Sequence, residues 1–155
     1  MNLKKYKSFS EINKDKFSKL VKSGFGRALV SNYFEYANPA YICIAEEGEE
    51  YLGAIVVESI PELKGVSYLD KIVVASEHQG KGLGKLLWKE LNGNSNKLIW
   101  RAKKENPIIE FYEKQSSGKL DFPDITEFII FFYGLNYTEL SKATDYAVGK
   151  KPTLE

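Results

Sequence analysis

Three glycines stand close together in one short polar stretch of the chain. Residues 79–84 read QGKGLG, and alternate positions carry Gly80, Gly82 and Gly84. Because glycine has no Cβ, the backbone N–H groups of such a loop can approach a ligand closely. A helix that starts beside the loop adds its positive N-terminal dipole, and the two together suit a pyrophosphate. Lys81 and Lys85 add local positive charge to this predicted anion site.

Two common phosphate-binding patterns do not fit this loop. The dinucleotide-binding pattern needs GxGxxG, whereas the loop reads GxGxG, and the P-loop needs Ser or Thr where Leu86 follows Lys85. The pattern that fits is QxxGxG. The alternative is a flexible connection between a strand and a helix, but a simple connector needs one glycine rather than three.

A second group of residues that could bind a substrate consists of three cations. Arg101 and Lys103 are two residues apart in a predicted strand, so their side chains leave the same face. If Lys71 on the neighbouring strand points the same way, the three converge and suit a substrate with two carboxylates. Arginine would bind a carboxylate in a bidentate manner, while lysine acts as a point charge. The alternative, in which all three are solvated surface residues, stays open.

Three further polar residues have competing interpretations. Asn106 precedes a proline and suits a helix N-cap as well as a substrate contact. Tyr112 shares a helical face with Ile108 and Ile109, so a packed core tyrosine is one interpretation. His78 is the only histidine, but no orienting partner for it can be identified, and a role as general base is not favoured.

The elements that must position these residues follow from periodicity. We predict an amphipathic helix after Ser10 and a second helix over residues 28–37, before Asn38-Pro39. Three β-rich runs follow as a meander over residues 40–45, 51–60 and 66–75. The order of elements at this point is ααβββ.

The second half of the chain predicts a βαβα arrangement after the glycine loop. A helix follows the loop with one face that carries Leu83, Leu86, Leu87 and Leu91. Residues 97–102 return as a strand, and a helix starts at Asn106-Pro107. Residues 116–123 are loop-like, residues 127–133 form an apolar strand, and residues 137–148 form a last helix. We therefore expect one sheet domain of the α/β or α+β type.

Composition excludes several classes of protein. The 155 residues are 43% apolar and 28% charged, so we expect a single globular domain over residues 1–155. A net charge of +1 provides no global field for nucleic acid or an anionic membrane. Without a signal peptide or spanning segment, a cytoplasmic location is expected. Cys43 is the only cysteine, which excludes a disulfide or a thiolate metal cluster within the chain, and no metal is predicted.

The strand YLDKIVV followed by QxxGxG resembles motif A of the GNAT acyltransferases. This resemblance implies an α+β fold with a mixed, mostly antiparallel central sheet flanked by helices. A splayed pair of strands would bind acyl-CoA. The strand amides would bond the pantetheine, and the loop would hold the pyrophosphate. The implied donor-binding residues are Ile72, Val73, Val74, Gln79, Gly80, Lys81, Gly82, Leu83, Gly84 and Lys85.

A closer resemblance covers most of the chain. The segments SGFGRALVSNYF, YLDKIVV, HQGKGLGKLLW, LIWRAKKENP and IIFFYGL are similar to the acetyltransferase domain of kinase-fused N-acetylglutamate synthases. The resemblance implies acetyl-CoA as the donor and glutamate as the substrate. It also implies that substrate-holding or transfer-assisting roles fall on Lys71, Arg101, Lys103, Asn106 and Tyr112. Tyr112 would then be the acid that protonates the departing thiolate.

Some departures from the family pattern keep alternatives open. Lys103 replaces a usual arginine, IIEF at residues 108–111 replaces a segment with proline and tryptophan, and the loop at residues 116–124 is longer. The amine substrate and the acyl group, acetyl or succinyl, are therefore open. The alternative functions are transfer to another amine and a non-catalytic acyl-CoA-binding subunit. Such a subunit would associate with a separate kinase-like chain, and a homodimer is also left open.

Overall fold

The computed structural model describes residues 1–155 and contains seven strands and five α-helices. In chain order these are β1 (Asn2–Tyr6), α1 (Lys14–Phe25), α2 (Tyr33–Tyr36), β2 (Pro39–Glu47), β3 (Glu50–Ser59), β4 (Ser67–Val74), α3 (Leu83–Asn94), β5 (Leu98–Lys103), α4 (Ile109–Gln115), β6 (Gly118–Asp121), β7 (Phe128–Tyr133) and α5 (Tyr137–Gly149). No helix among them has the length and apolar character that crossing a membrane requires.

The strands form one mixed sheet in the order β1-β2-β3-β4-β5-β7-β6. Strand β2 pairs antiparallel with β1 and β3, and β7 pairs antiparallel with β5 and β6. Strands β4 and β5 are parallel, and their register covers only Ser67 with Leu98 and Tyr68 with Ile99. The sheet is therefore mostly antiparallel, with one parallel pair of strands that is short. This architecture confirms the fold class that the GNAT resemblance predicts.

The first compact unit comprises Met1–Glu58, Asp70–Asn94 and Lys151–Glu155. Helix α1 begins after Asn13, whose side chain accepts the N–H of Lys16, and ends at Gly26 in the left-handed conformation. Phe17 on its apolar face packs in an aromatic group with Phe9, Tyr33 and Phe34. This core supports β4 and the loop that follows it.

The second compact unit comprises Ser59–Leu69 and Ser95–Lys150. One apolar cluster in it joins Tyr68, Ile99 and Ile130 to Ala143 and Ala147 of α5. Helix α5 starts with a capping box in which Asn136 and Glu139 satisfy each other's backbone N–H groups. The small side chains of α5 let it pack closely, which places its C-terminal end beside β5.

Several details differ from the sequence predictions. Strands β1 and β6 were not predicted, and the predicted helix over residues 28–37 reduces to the single turn Tyr33–Tyr36. In α3 the buried face carries Trp88 in addition to three leucines, whereas Leu86 is exposed. Leu86 lies about 125° around the helix from the centre of the buried face, and this explains its exposure.

Candidate functional site

The glycine loop between β4 and α3 has the backbone conformation that an anion site requires. Gly80 and Gly82 have φ of 77° and 87°, in the left-handed region that favours glycine. A Cβ added at either position would meet no atom within 4 Å, and both residues are exposed. Alternation of left-handed and ordinary residues points successive N–H groups to one side, as in anion-binding nests.

The end of the loop merges into α3. The N–H of Leu86 donates to the carbonyl oxygen of Gly82 at 3.1 Å, which closes the first turn of the helix. Leu83 is buried, so only its backbone can face a ligand, while Lys81 and Lys85 are exposed. Gly84 has no left-handed φ and lies inside the helix. The N-terminus of α3 and two exposed lysines therefore lie beside the loop.

The side chain of Gln79 connects the loop to two neighbouring elements. Its side-chain Nε2 donates to the carbonyl oxygen of Val74 at 2.9 Å and to that of Gly24 at 3.2 Å. A second connection joins the same elements, because the backbone N–H of Ser76 donates to Ser23 Oγ at 2.9 Å. The start of the loop is thus tied to the end of β4 and to the last turn of α1. Sequence reasoning missed the role of Ser23 and Gly24; the one signal was a glycine at residue 24, inside the last turn of a helix.

Residues Ile72, Val73 and Val74 lead into this loop. Val73 is buried in the core of the first unit, whereas its neighbours are half-buried. The parallel register between β4 and β5 ends at Tyr68, so all three lie beyond the part of β4 that pairs with β5. That position suits the predicted role of their amides as partners of an extended ligand.

Lys71 is a buried cation, with only 4% of its surface exposed. Its ammonium group donates to the hydroxyl of Thr153, lies 3.7 Å from Asp70 Oδ2, and stands 4.9 Å from the centre of the Tyr33 ring. Tyr33 in turn donates its phenolic O–H to Asp70 at 2.7 Å. Burial, then the charge of Asp70, raises the pKa of Tyr33 well above its usual value, so this phenol stays protonated.

Arg101 and Lys103 lie on β5 with alternating burial, which places them on the same face as predicted. Nη1 of Arg101 donates to the carbonyl oxygens of Ala147 at 3.1 Å and Lys150 at 2.8 Å. The guanidinium also stacks 4.1 Å from the centre of the Phe128 ring. Arg101 therefore binds the carbonyl end of α5, where its charge complements the helix dipole.

Lys103 has a more exposed setting than Arg101. Its ammonium group forms an ion pair with Glu127 at 3.6 Å, and roughly a third of its side chain is exposed. A pair with this exposure contributes little to stability, so the side chain can exchange partners at low cost.

Asn106 lies just before α4, and Tyr112 lies within it. The side chain of Asn106 accepts the N–H of Ile108 at 3.0 Å, which forms a turn just before the helix. Tyr112 is buried against Trp100 and Phe131, with ring centroids 5.6 Å apart in both cases. Burial raises the pKa of Tyr112 well above its usual value. The surroundings are those of a core tyrosine, and the phenol stays protonated over the physiological range.

The predicted substrate residues fall into both units. Lys71 belongs to the first unit, and the second unit contains Arg101, Lys103, Asn106 and Tyr112. Arg101 and Tyr112 pack on opposite faces of β5, since Tyr112 contacts Trp100, the strand neighbour of Arg101. The convergence of the three cations stays a prediction.

One group of side chains has the composition of a metal site. Ligand atoms of Glu50, Glu77 and His78 lie within 4.8 Å of one another in the first unit. The two glutamates are exposed, and Glu77 has a lowered pKa chiefly because of a backbone hydrogen bond and the Ser76 hydroxyl. Exposed acidic groups of this kind are common without an ion, so we assign no metal to them.

Comparison with known sequences gives a result that agrees with this geometry. The sequence model of the family described as NAT, N-acetyltransferase, of N-acetylglutamate synthase matches residues 4–149. N-acetylglutamate synthase, mitochondrial, from Mus musculus is 33% identical over 129 residues, which are 83% of this chain and 24% of the mouse protein. Acetylglutamate kinase from Xanthomonas campestris pv. campestris is 29% identical over 150 residues, 95% of this chain and 34% of that protein. The chain thus spans about a quarter to a third of the length of these relatives.

Solved structures share the fold at lower identity. An acetyltransferase from Thermus thermophilus superimposes with a TM-score of 0.63 at 15% identity and covers 87% of this chain and 98% of its own. A protein assigned to the GNAT family from Desulfovibrio desulfuricans has a TM-score of 0.62 at 18% identity and covers 85% and 96%. At these identities the likeness concerns the fold alone.

Proposed function

Because the chain belongs to the N-acetyltransferase family of N-acetylglutamate synthase, we propose that it transfers the acetyl group of acetyl-CoA to the α-amino group of L-glutamate. The observation that carries the proposal is the open loop at Gly80 and Gly82, where left-handed glycines expose backbone N–H groups beside a helix N-terminus. This arrangement supports recognition of a pyrophosphate.

On the donor side, the loop amides and the α3 N-terminus bind the pyrophosphate, and Lys81 and Lys85 supply positive charge. Gln79 fixes the start of the loop against the end of β4 through its hydrogen bond to Val74. The amides of residues 72–74 bond the pantetheine, and the amide of Ile72 stabilises the oxyanion that forms on the thioester carbonyl.

On the acceptor side, the cations favour an anionic amino acid. Lys71 and Arg101 are held in fixed positions by their neighbours, which reduces the entropy lost when a carboxylate binds. Lys103 has the looser setting and can turn from Glu127 to a substrate carboxylate. A polycationic amine would be repelled by the same groups.

The reaction forms a C–N bond and breaks the C–S bond of the thioester. The glutamate amine is mostly protonated near neutral pH, so it must first lose a proton to water or a base. Its nitrogen then attacks the carbonyl carbon, and the thiolate leaves with the bonding electron pair. Tyr112 stays protonated because of its burial and stabilises the leaving sulfur through its O–H. Once bonded to the acetyl carbon, the nitrogen loses a second proton, which balances the proton that the thiolate gains, so the reaction of the ammonium form releases one proton to solvent.

A thiol-release assay with acetyl-CoA over a panel of amino acids tests this function. Glutamate should give the highest kcat/KM, with aspartate, glutamine and a polyamine well below it. If glutamate is inert while another amine turns over, the substrate assignment is wrong. If nothing turns over while acetyl-CoA still binds, the alternative of a non-catalytic binding subunit gains support.

A further inference from the structure

The setting of Lys71 raises the question of what fixes its ammonium group. Its side chain is only 3% exposed. A buried ammonium group that lacks hydrogen-bond acceptors is far less stable than one that is paired, because it loses its hydration. The neighbours of Lys71 therefore determine both its charge and the direction of its N–H bonds.

Asp70 and Tyr33 compensate the positive charge of Lys71, but these two contacts do not fix the direction of its N–H bonds. The distance of 3.7 Å from Lys71 Nζ to Asp70 Oδ2 is too long for a hydrogen bond. The same carboxylate oxygen already accepts the O–H of Tyr33 at 2.7 Å. The Tyr33 ring attracts the cation from 4.9 Å, and that attraction depends weakly on how the N–H bonds are turned.

Thr153 provides a directed contact. Its hydroxyl accepts a hydrogen bond from Lys71 Nζ, although the two residues are 82 positions apart in the chain. The backbone of Thr153 is itself fixed, because its carbonyl oxygen accepts the N–H of Val30 at 2.9 Å. Val30 precedes the turn that carries Tyr33, so one short segment holds both Thr153 and Tyr33 in place around the ammonium group.

We propose that Thr153 is a positioning residue whose hydroxyl orients the Lys71 ammonium group for the carboxylate of the amino-acid substrate. This inference rests on the proposed function, since it takes Lys71 as a substrate ligand. Because Asp70 balances the charge of Lys71, substrate affinity depends on the direction of the N–H bonds more than on net charge. Loss of the Thr153 hydroxyl therefore weakens substrate binding while the charge stays in place.

Two substitutions in the full chain separate the hydroxyl from the side-chain volume. Thr153→Val removes the hydroxyl and keeps the shape, and Thr153→Ser keeps the hydroxyl. We expect Thr153→Val to raise the KM for glutamate about tenfold, in keeping with a lost hydrogen bond to a charged group. The KM for acetyl-CoA and the kcat should stay within about twofold. Thr153→Ser should restore the KM for glutamate.

Thr144→Val is the matched control. The Thr144 hydroxyl is buried in α5 and makes no hydrogen bond, so its removal should leave both KM values unchanged. If Thr153→Val behaves like this control, or if Thr153→Ser is impaired as much as Thr153→Val, the proposal is overturned.

A measurement without turnover keeps this proposal separate from the proposed function. Reductive methylation followed by peptide mass spectrometry reports how fast Lys71 reacts in the free protein. Loss of an acceptor disfavours the charged ammonium and increases the reactive neutral amine, so Thr153→Val should react several-fold faster than wild type. Unchanged reactivity would contradict the positioning role. If the wild type does not acetylate glutamate, the proposed function fails, and the methylation rates alone decide on Thr153.

Discussion

Gly24 lies directly against the backbone of Val74. A Cβ added at residue 24 would stand 2.5 Å from the carbonyl oxygen of Val74, a separation that real Cβ atoms do not show. The same oxygen accepts a hydrogen bond from Gln79. The last turn of α1 can therefore reach the end of β4, and anchor the glycine loop at residues 79–84, only because residue 24 is glycine.

Gly24→Ala should push α1 away from β4. We expect it to lower the free energy of unfolding by about 1–3 kcal/mol, as overpacking does. It should also weaken CoA binding, because Gln79 bonds both contact partners. Denaturant titration and calorimetry measure the two effects. Gly93→Ala, at an exposed α3 position with no atom within 4 Å of an added Cβ, is the control and should be neutral or stabilising. Wild-type behaviour of Gly24→Ala would contradict the close approach.

The two glycines that flank Leu83 should respond differently to alanine. Gly82 has a φ of 87°, so Gly82→Ala strains the loop by about 1–2 kcal/mol. Its Kd for CoA should rise about tenfold, which corresponds to 1.4 kcal/mol. An added Cβ at Gly84 would stand 3.9 Å from Val74 Cγ2, an ordinary contact, so Gly84→Ala should bind CoA like wild type. Equal effects of the two substitutions would contradict the assignment of the loop conformation.

Arg101 should affect stability as well as substrate binding. Arg101→Ala removes charged hydrogen bonds to two carbonyl oxygens at the end of α5, so we expect a loss of about 2 kcal/mol in unfolding free energy. The KM for glutamate should rise while that for acetyl-CoA stays unchanged. Arg101→Lys should be intermediate, because lysine lacks the fork of donors. Lys104→Ala, which removes an exposed ion pair with Asp121, is the control. Full stability of Arg101→Ala would refute the contact with α5.

Tyr112 should stay protonated well into the alkaline range. Folding raises the pKa of Tyr112, chiefly by burial, so the unfolded chain loses its phenolic proton first. The stability contribution is therefore complete below about pH 10 and declines as the pH rises further. We expect Tyr112→Phe to lower kcat at least about tenfold through loss of the O–H, and to reduce the alkaline loss of stability. An unchanged kcat would leave Tyr112 as a core residue only.

The conformation of the glycine loop between β4 and α3 could be predicted from sequence because its determinants are local. The glycine spacing, the preceding β-rich run and the leucine period of α3 all lie within residues 66–91. The environment of Lys71 could not be predicted in this way. Thr153 contacts it from 82 positions away, and no periodicity marks such a contact.

The missed strands have a related explanation. Strands β1 and β6 are edge strands with short, polar sequences, NLKKY and GKLD, that are stabilised by pairing with β2 and β7. Local propensity is a weak guide to such strands. The prediction of Asn106 as the N-cap of the next helix was wrong, because its side chain accepts the N–H of Ile108 in a turn and the helix begins only at Ile109.

The most direct measurement identifies the bond that the protein makes. Acetyl-CoA labelled with heavy carbon at the acetyl carbonyl and glutamate labelled with heavy nitrogen are incubated with the full chain, and NMR follows the one-bond coupling between the two labels. We predict that the coupled amide appears at the rate at which thiol is released. Thiol release without the coupled pair, or coupling that forms only with a different amine, would contradict acetyl transfer to glutamate.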